Sequence, residues 1–148
     1  EALLTGGTLQ LVDGGRQRRT YTYIDDAIDC LARIVDRPEA ARRQIFNVGA
    51  RGNEISIRGL AELMRDIYDA RFRRPGQPRA SIAEISGRDF YGEGYDDSDR
   101  RIPDIAKAQT LLGWQPQFTV RETVERTMEY YVRESRREGR AAPCLNAP

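Results

Sequence analysis

Two arginine-rich stretches carry the residue types best suited to chemistry in this chain. The first reads Asp13-Gly14-Gly15-Arg16-Gln17-Arg18-Arg19. A glycine pair lets the backbone turn sharply and approach a ligand. The guanidiniums that follow can grip a phosphate or carboxylate with two parallel donors. A nucleotide diphosphate needs both properties, charge to neutralise the pyrophosphate and forks to orient it. A solvated basic turn would use the same residues. A nucleic-acid surface would too, but no aromatic platform or wider basic face accompanies the run. The second stretch is Phe90-Tyr91-Gly92-Glu93-Gly94-Tyr95-Asp96-Asp97, followed by Arg100 and Arg101. Glycines around tyrosines make a loop that can lay a ring and a hydroxyl against a sugar or a base. The same composition also suits an aromatic surface loop pinned to a core.

Other chemistries are excluded by composition. The chain of 148 residues contains no histidine, so Ser-His-Asp catalysis, imidazole bases and histidine-ligated metals are unavailable. Lys107 is the only lysine, and Pro103 stands four residues before it, so no Tyr-x-x-x-Lys pair exists. Gly49 and Gly52 suggest a dinucleotide loop, but the third glycine due at position 55 is Ile55 and the next helix starts too late. Cys30 falls near the apolar positions of a helix and Cys144 lies in the tail. Neither has a metal-ligand neighbour, and a reducing, cytoplasmic setting fits them. The net charge of +1 argues against a general nucleic-acid footprint. No membrane span or signal peptide is visible. The start at Glu1, inside an amphipathic pattern, reads as a fragment whose N-terminal part is missing.

The elements that must position these groups follow from periodicity. Residues 9–12 form a strand candidate turned by Asp13-Gly14-Gly15. Residues 20–24 alternate in β-favouring types and lead into a helix whose buried stripe is expected to be Ile24, Ala27, Ile28, Leu31, Ile34 and Val35. Residues 44–48 read as another strand. Ser56 can cap a helix whose stripe is Ile57, Leu60, Ala61, Met64, Ile67 and Tyr68. Residues 71–79 read as an exposed loop, 80–85 as a strand and 86–99 as a structured loop. Pro103 and Asp104 suit the first turn of a short helix with Ile105, Ala108, Leu111 and Leu112 on one face. Gly113 and Pro116 stop that helix. Thr119 and Glu122 form a capping box for the last helix, faced by Val120, Val124, Met128 and Tyr131. Residues 1–135 form the folded part, and 136–148 read as a disordered tail. The order is βαβα-like, an α/β chain with helices that need a sheet to cover.

The run Arg101, Pro103, Asp104, Leu111-Leu112-Gly113-Trp114 and Pro116 resembles the C-terminal lobes of the extended short-chain dehydrogenase/reductases that act on nucleotide sugars. Asn47, Val48, Gly49, Glu54 and Ser56 match the same family structurally. So does the arginine turn at Arg18 followed by Tyr23-Ile24-Asp25-Asp26. The denser DGGRQRR and the tyrosine loop are similar to the UDP-glucuronate decarboxylase half of the bifunctional polymyxin-resistance enzymes (the ArnA family). The resemblance covers residues 5–135. It implies the C-terminal substrate-binding portion of a Rossmann-type enzyme whose NAD-binding portion lies outside this chain. It also implies substrate contacts at Gln10, Arg16, Gln17, Arg18, Arg19 and Tyr95, and a catalytic role for Arg101. A lysine is usual in the relatives where this chain has Gln10. The implied reaction is NAD-dependent oxidation of UDP-glucuronate at C4 and loss of carbon dioxide to a UDP-4-keto-pentose, feeding 4-amino-arabinose addition to lipid A. An arginine beside the glucuronate carboxylate can orient it and then stabilise the enolate left behind. A cytoplasmic homo-oligomer is implied for the full-length enzyme. Another nucleotide-sugar epimerase or dehydratase, a UDP-xylose synthase, and a non-catalytic anion- or nucleic-acid-binding module remain open.

Overall fold

A computed structural model describes residues 1–94 and 98–137. In chain order the elements are α1 (Ala2–Thr5), β1 (Thr8–Val12), β2 (Arg18–Thr20), α2 (Ile24–Asp36), α3 (Pro38–Ala41), β3 (Glu54–Ser56) and α4 (Ile57–Arg71). They continue with β4 (Ser81–Ile85), α5 (Gly87–Tyr91), β5 (Arg100–Arg101), α6 (Ala106–Leu112) and α7 (Val120–Arg137). The α/β class read from the sequence is the observed one. The chain divides into two compact units. The first holds described residues 1–16, 56–94 and 124–137, and the second Gln17–Ile55 and Ser98–Thr123.

In the first unit β1 and β4 pair in parallel, from Thr8 opposite Ser81 to Val12 opposite Ile85. Ser56 caps α4, its Oγ accepting from the Gly59 N–H at 3.0 Å, which satisfies one of the helix's orphan donors. The expected α4 face is the buried one: Ala61, Ile67 and Tyr68 are buried, with Leu60 and Met64 packed beside them. That core also contains Leu3, Ala80, Val124, Met128 and Val132. The face of α7 differs from expectation in its last member. The core takes Val132, four residues after Met128, and Tyr131 is 57% exposed. Helix α7 extends to Arg137. The remainder of the expected tail, Cys144 included, lies outside the described residues.

The second unit is built around Trp114, which is fully buried with Cys30, Ile105, Ala108 and Leu112. The indole Nε1 donates to the Asp26 carbonyl at 2.9 Å. The Asp26 carboxylate, itself buried, accepts from the backbone N–H groups of Gln117 at 2.8 Å and Phe118 at 3.2 Å. Two of the motifs read from the sequence, Tyr-x-x-Asp-Asp and Leu-Leu-Gly-Trp-x-Pro, are therefore two halves of one buried polar joint. Gly113 closes α6 at φ 61°, and Arg33 donates to its carbonyl at 2.9 Å, a cation at the negative end of the helix. Burial pushes the Cys30 thiol pKa up, with Asp29 adding to the effect.

Several expectations are corrected here. Pro103 and Asp104 precede α6 rather than opening it. Asp104 caps from outside, its Oδ1 accepting from Ala106 N–H at 3.0 Å. The Pro103 ring instead fills the space in front of Gly49, where a Cβ would lie 2.1 Å from its Cγ. The strand expected at 20–24 sits earlier, at Arg18–Thr20, because its ladder partner β5 sets the position. Residues 86–99 are not all loop, since α5 interrupts them. Residues 44–48 form no strand among the described residues; a strand needs a ladder partner, and none is present beside them. The α2 stripe is only partly buried. Asp26 and Cys30 are the buried residues, whereas Ile24, Ile28, Leu31 and Val35 are more than half exposed.

Candidate functional site

The second unit brings the two arginine stretches together. β2 lies between β3 and β5 in one sheet, and β2 pairs with β5 in parallel, Arg18 opposite Arg100 and Arg19 opposite Arg101. The ladder is continued by the Arg18 N–H, which donates to the Asp99 carbonyl at 2.7 Å. Paired strands lie about 4.8 Å apart and side chains alternate between faces. So Arg18 and Arg100 share one face, and Arg19 and Arg101 the other. Like charges opposite each other are destabilising without a counter-ion.

Glu54 of β3 is the counter-ion on the first face. Its Oε1 accepts from Arg100 Nε at 2.7 Å and from Arg18 Nε at 3.0 Å, and its Oε2 accepts from Arg100 at 2.9 Å. The hydrogen bonds from Arg100, and secondarily those from Arg18, hold the Glu54 carboxyl pKa at about 2, against a partial burial that raises it. The same carboxylate holds Arg100 protonated above its ordinary range. Glu54 was read from the sequence only as part of a helix approach. Its spacing two residues before a capping serine gave no sign that it would meet two distant arginines.

On the same sheet an open hollow of about 600 Å³ is lined by Arg19, Thr20, Val48, Arg100, Arg101, Ile102 and Pro103. Arg101 Nε donates to Ser98 Oγ at 2.7 Å, which fixes its direction. An anion of phosphate or carboxylate type suits a hollow with such a lining. Arg18, Arg19 and Arg101 are thus gathered by one short sheet, and Gln17 leads directly into it. Gln10 and Arg16 belong to the first unit and are exposed there. Tyr95 lies outside the described residues.

The glycine turn behaves differently from its expected role. Gly14 and Gly15 take positive φ values of 74° and 64°, but the close approach they permit is to protein. A Cβ on Gly15 would stand 2.8 Å from the Arg58 backbone nitrogen, and one on Gly14 3.4 Å from the Glu84 carboxylate. Arg58 donates to the Gly14 carbonyl at 3.0 Å and pairs with Glu84. Asp13, at φ 47°, is held by the Gly87 N–H at 2.8 Å. The turn is a packed corner of the first unit. Gly49 likewise faces Pro103. These glycines do not form a cradle for a dinucleotide pyrophosphate, and no NAD-binding role is assigned to them. Among the described residues no group of three or more His, Cys, Asp or Glu could hold a metal ion, and no helix is long and apolar enough to cross a membrane.

Known proteins resemble this chain in sequence and in fold. Residues 1–49 match the NAD dependent epimerase/dehydratase family. Over 128 residues, 86% of the chain, the sequence is 43% identical to UDP-D-apiose/UDP-D-xylose synthase 1 of Arabidopsis thaliana, of which it covers 33%. It is 43% identical to the UDP-D-apiose/UDP-D-xylose synthase of Oryza sativa subsp. japonica over the same share of the chain and 32% of that protein. The chain thus spans about a third of the length of these curated relatives. Among solved structures, PbgP3 protein from Burkholderia pseudomallei superposes with a TM-score of 0.73 at 29% identity, over 91% of this chain and 38% of that one. Epimerase Mth375 from Methanothermobacter thermautotrophicus superposes with a TM-score of 0.74 at 23% identity, over 93% of this chain and 36% of that one, a likeness of fold. Residues 1–49 thus resemble the NAD dependent epimerase/dehydratase family, the chain resembles nucleotide-sugar synthases in sequence, and its α/β fold is that of epimerase structures.

Proposed function

We propose that this chain supplies the substrate side of an NAD-dependent enzyme that decarboxylates UDP-glucuronate. The observation that carries the reading is the parallel pairing of β2 with β5, which puts Arg19 from the first stretch and Arg100 and Arg101 from the second around one hollow. In this reading Arg18, Arg19, Gln17 and Arg16 serve the diphosphate, with Gln10 and Tyr95 as further substrate contacts. Arg101 faces the sugar carboxylate. Its fork orients the carboxylate, and its charge stabilises the enolate that forms as carbon dioxide leaves. The oxidation that precedes this step belongs to a portion outside the chain, because the residues present do not fit NAD. The finer form of the reading is release of a UDP-4-keto-pentose, as in the ArnA family of the lipid A and polymyxin-resistance pathway, by a cytoplasmic homo-oligomer.

A second reading has its own support. The 43% identical relatives are named as UDP-D-apiose/UDP-D-xylose synthases, so reduction of the keto-sugar to a UDP-pentose is the alternative outcome. Identification of the sugar nucleotide released by the full-length enzyme, by proton NMR, separates the two.

The test on this chain is calorimetric titration with UDP-glucuronate and with UDP-glucose, wild type and Arg101→Ala. The expected result is tighter binding of the glucuronate, by about tenfold, lost in the variant; one charge-assisted hydrogen-bonded pair is worth about that much. Equal binding of the two sugars, unchanged by the substitution, removes Arg101 from the carboxylate and points to an epimerase-like site. The chain alone is expected not to reduce NAD, and an absorbance rise at the NADH band with UDP-glucuronate would refute that.

A further inference from the structure

We propose that Ser98 is a positioning residue for Arg101, which it holds through a neutral oxygen so that the fork is ordered without its charge being cancelled. The proposal rests on the reading of Arg101 as the partner of the substrate carboxylate. Arg101 Nε donates to Ser98 Oγ at 2.7 Å. Ser98 is exposed, so its hydroxyl is not there to satisfy a buried group. The backbone on either side of this pair is fixed by other contacts. The Arg18 N–H donates to the Asp99 carbonyl at 2.7 Å, and the β2–β5 ladder holds Arg100 and Arg101. What a ladder leaves open is the side chain. An arginine is long and rich in rotamers, and ordering it costs free energy whenever a ligand has to impose the order. Nε is the guanidinium nitrogen nearest the stem, and a bond from it sets the direction of the whole fork in advance.

The choice of acceptor carries the second half of the proposal. Arg100 and Arg101 are adjacent arginines with unlike holders. Arg100 donates to the Glu54 carboxylate, from Nε at 2.7 Å and from Nη2 at 2.9 Å, and Arg18 donates to it as well. On that face a negative charge answers the positive ones. Ser98 offers Arg101 a lone pair and no charge. Arg19, which shares the Arg101 face and lines the same hollow, likewise donates from Nη1 to a neutral oxygen, the Arg18 carbonyl at 2.8 Å. A hydrogen bond from a guanidinium to a carboxylate is about twice as strong as one between neutral groups. A carboxylate at position 98 would therefore compete with the ligand for Arg101, whereas a hydroxyl orients the fork and leaves that stronger bond to the ligand.

The experiment compares this chain with Ser98→Ala, Ser98→Thr and Ser98→Asp. Calorimetry reads the affinities for UDP-glucuronate and UDP-glucose. Nitrogen-15 NMR reads the Arg101 Nε–H signal, identified by its absence in Arg101→Lys. In Ser98→Ala the Nε–H signal should lose its protection from exchange with water. The glucuronate affinity should fall about three- to tenfold, the range expected for ordering one long side chain on binding. The UDP-glucose affinity and the unfolding midpoint should not change. Ser98→Thr should restore both the signal and the affinity. Ser98→Asp should keep the signal and bind glucuronate no better than Ser98→Ala. An Nε–H signal unaltered in Ser98→Ala would overturn the positioning role, whatever the sugars do. Equal losses for the two sugars, no rescue by threonine, or wild-type glucuronate binding in Ser98→Asp would overturn the proposal too. A wild-type chain that does not distinguish the two sugars would sink the reading of Arg101 as the carboxylate's partner, and the Nε–H comparison would still decide whether Ser98 orders its side chain.

Discussion

Glu54 is the side chain on which the arginine cluster depends most directly. Its carboxyl has a pKa of about 2 in the folded chain, well below the ordinary 4.5, chiefly because of Arg100. A depressed folded value means that the carboxylate stabilises the fold in full above pH 4.5, and that this contribution is lost as pH falls through 2. Carbon-detected NMR titration of the Glu54 carboxyl should give a midpoint near 2. In Glu54→Gln the melting temperature should lose the part of its acid dependence that lies between those two values. Equal acid profiles for the two proteins would remove Glu54 from the cluster. Asp26 illustrates the opposite case, a buried carboxylate whose role is structural. Asp26→Ala leaves the N–H groups of Gln117 and Phe118 without their acceptor. Urea unfolding should show a loss of about 1–3 kcal/mol, the cost of stranding two part-buried donors that bonded to a carboxylate.

At the scale of elements, the ends and turns behave as local chemistry dictates. Ser56→Ala should cost about 1 kcal/mol through the lost cap on α4, and Ser56→Asp should restore it, as read by chemical denaturation. Trp114→Ala should cost about 3–5 kcal/mol, because the ring is fully buried and its Nε1 bonds to Asp26. Trp114→Phe should lose less, keeping most of the volume but not the hydrogen bond. These elements were legible because capping serine, stop glycine and apolar spacing act within one or two turns. The α2 helix was legible, but its stripe, expected to be buried, is mostly exposed, and the strand expected at 44–48 is not formed. Their exposed state could not be read, because periodicity tells which side wants burial and not whether anything is there to bury it.

For the whole molecule, acidic and basic residues balance to a net +1, and the arginines are locally compensated. Arg18 and Arg100 share Glu54, Arg58 pairs with Glu84, and Arg71 bridges to Glu125 and Glu129. Such pairing reduces the positive field available to a polyanion. Fluorescence anisotropy with a random DNA duplex at about 0.15 M salt, where the screening length is about 8 Å, should show no saturable binding at micromolar protein. Saturable binding there would favour a nucleic-acid-binding module over a nucleotide-sugar site.

The amino-acid sequence alone determined the local elements, the α/β class and the chemistry available. Arginine forks without histidine leave anion binding and electrostatic stabilisation as the possibilities, and these properties follow from residue type and near-neighbour spacing. Only the tertiary structure decided which arginines act together. Arg18 and Arg100 are 82 positions apart, and their meeting depends on a two-residue ladder and on Glu54 from a third strand. It also decided that the Gly14-Gly15 corner packs on Arg58 and Glu84 instead of opening to a ligand. The physical reason is the same in both cases. A glycine or an arginine states what it can do, but the partner it does it with is chosen by chain segments far away in sequence.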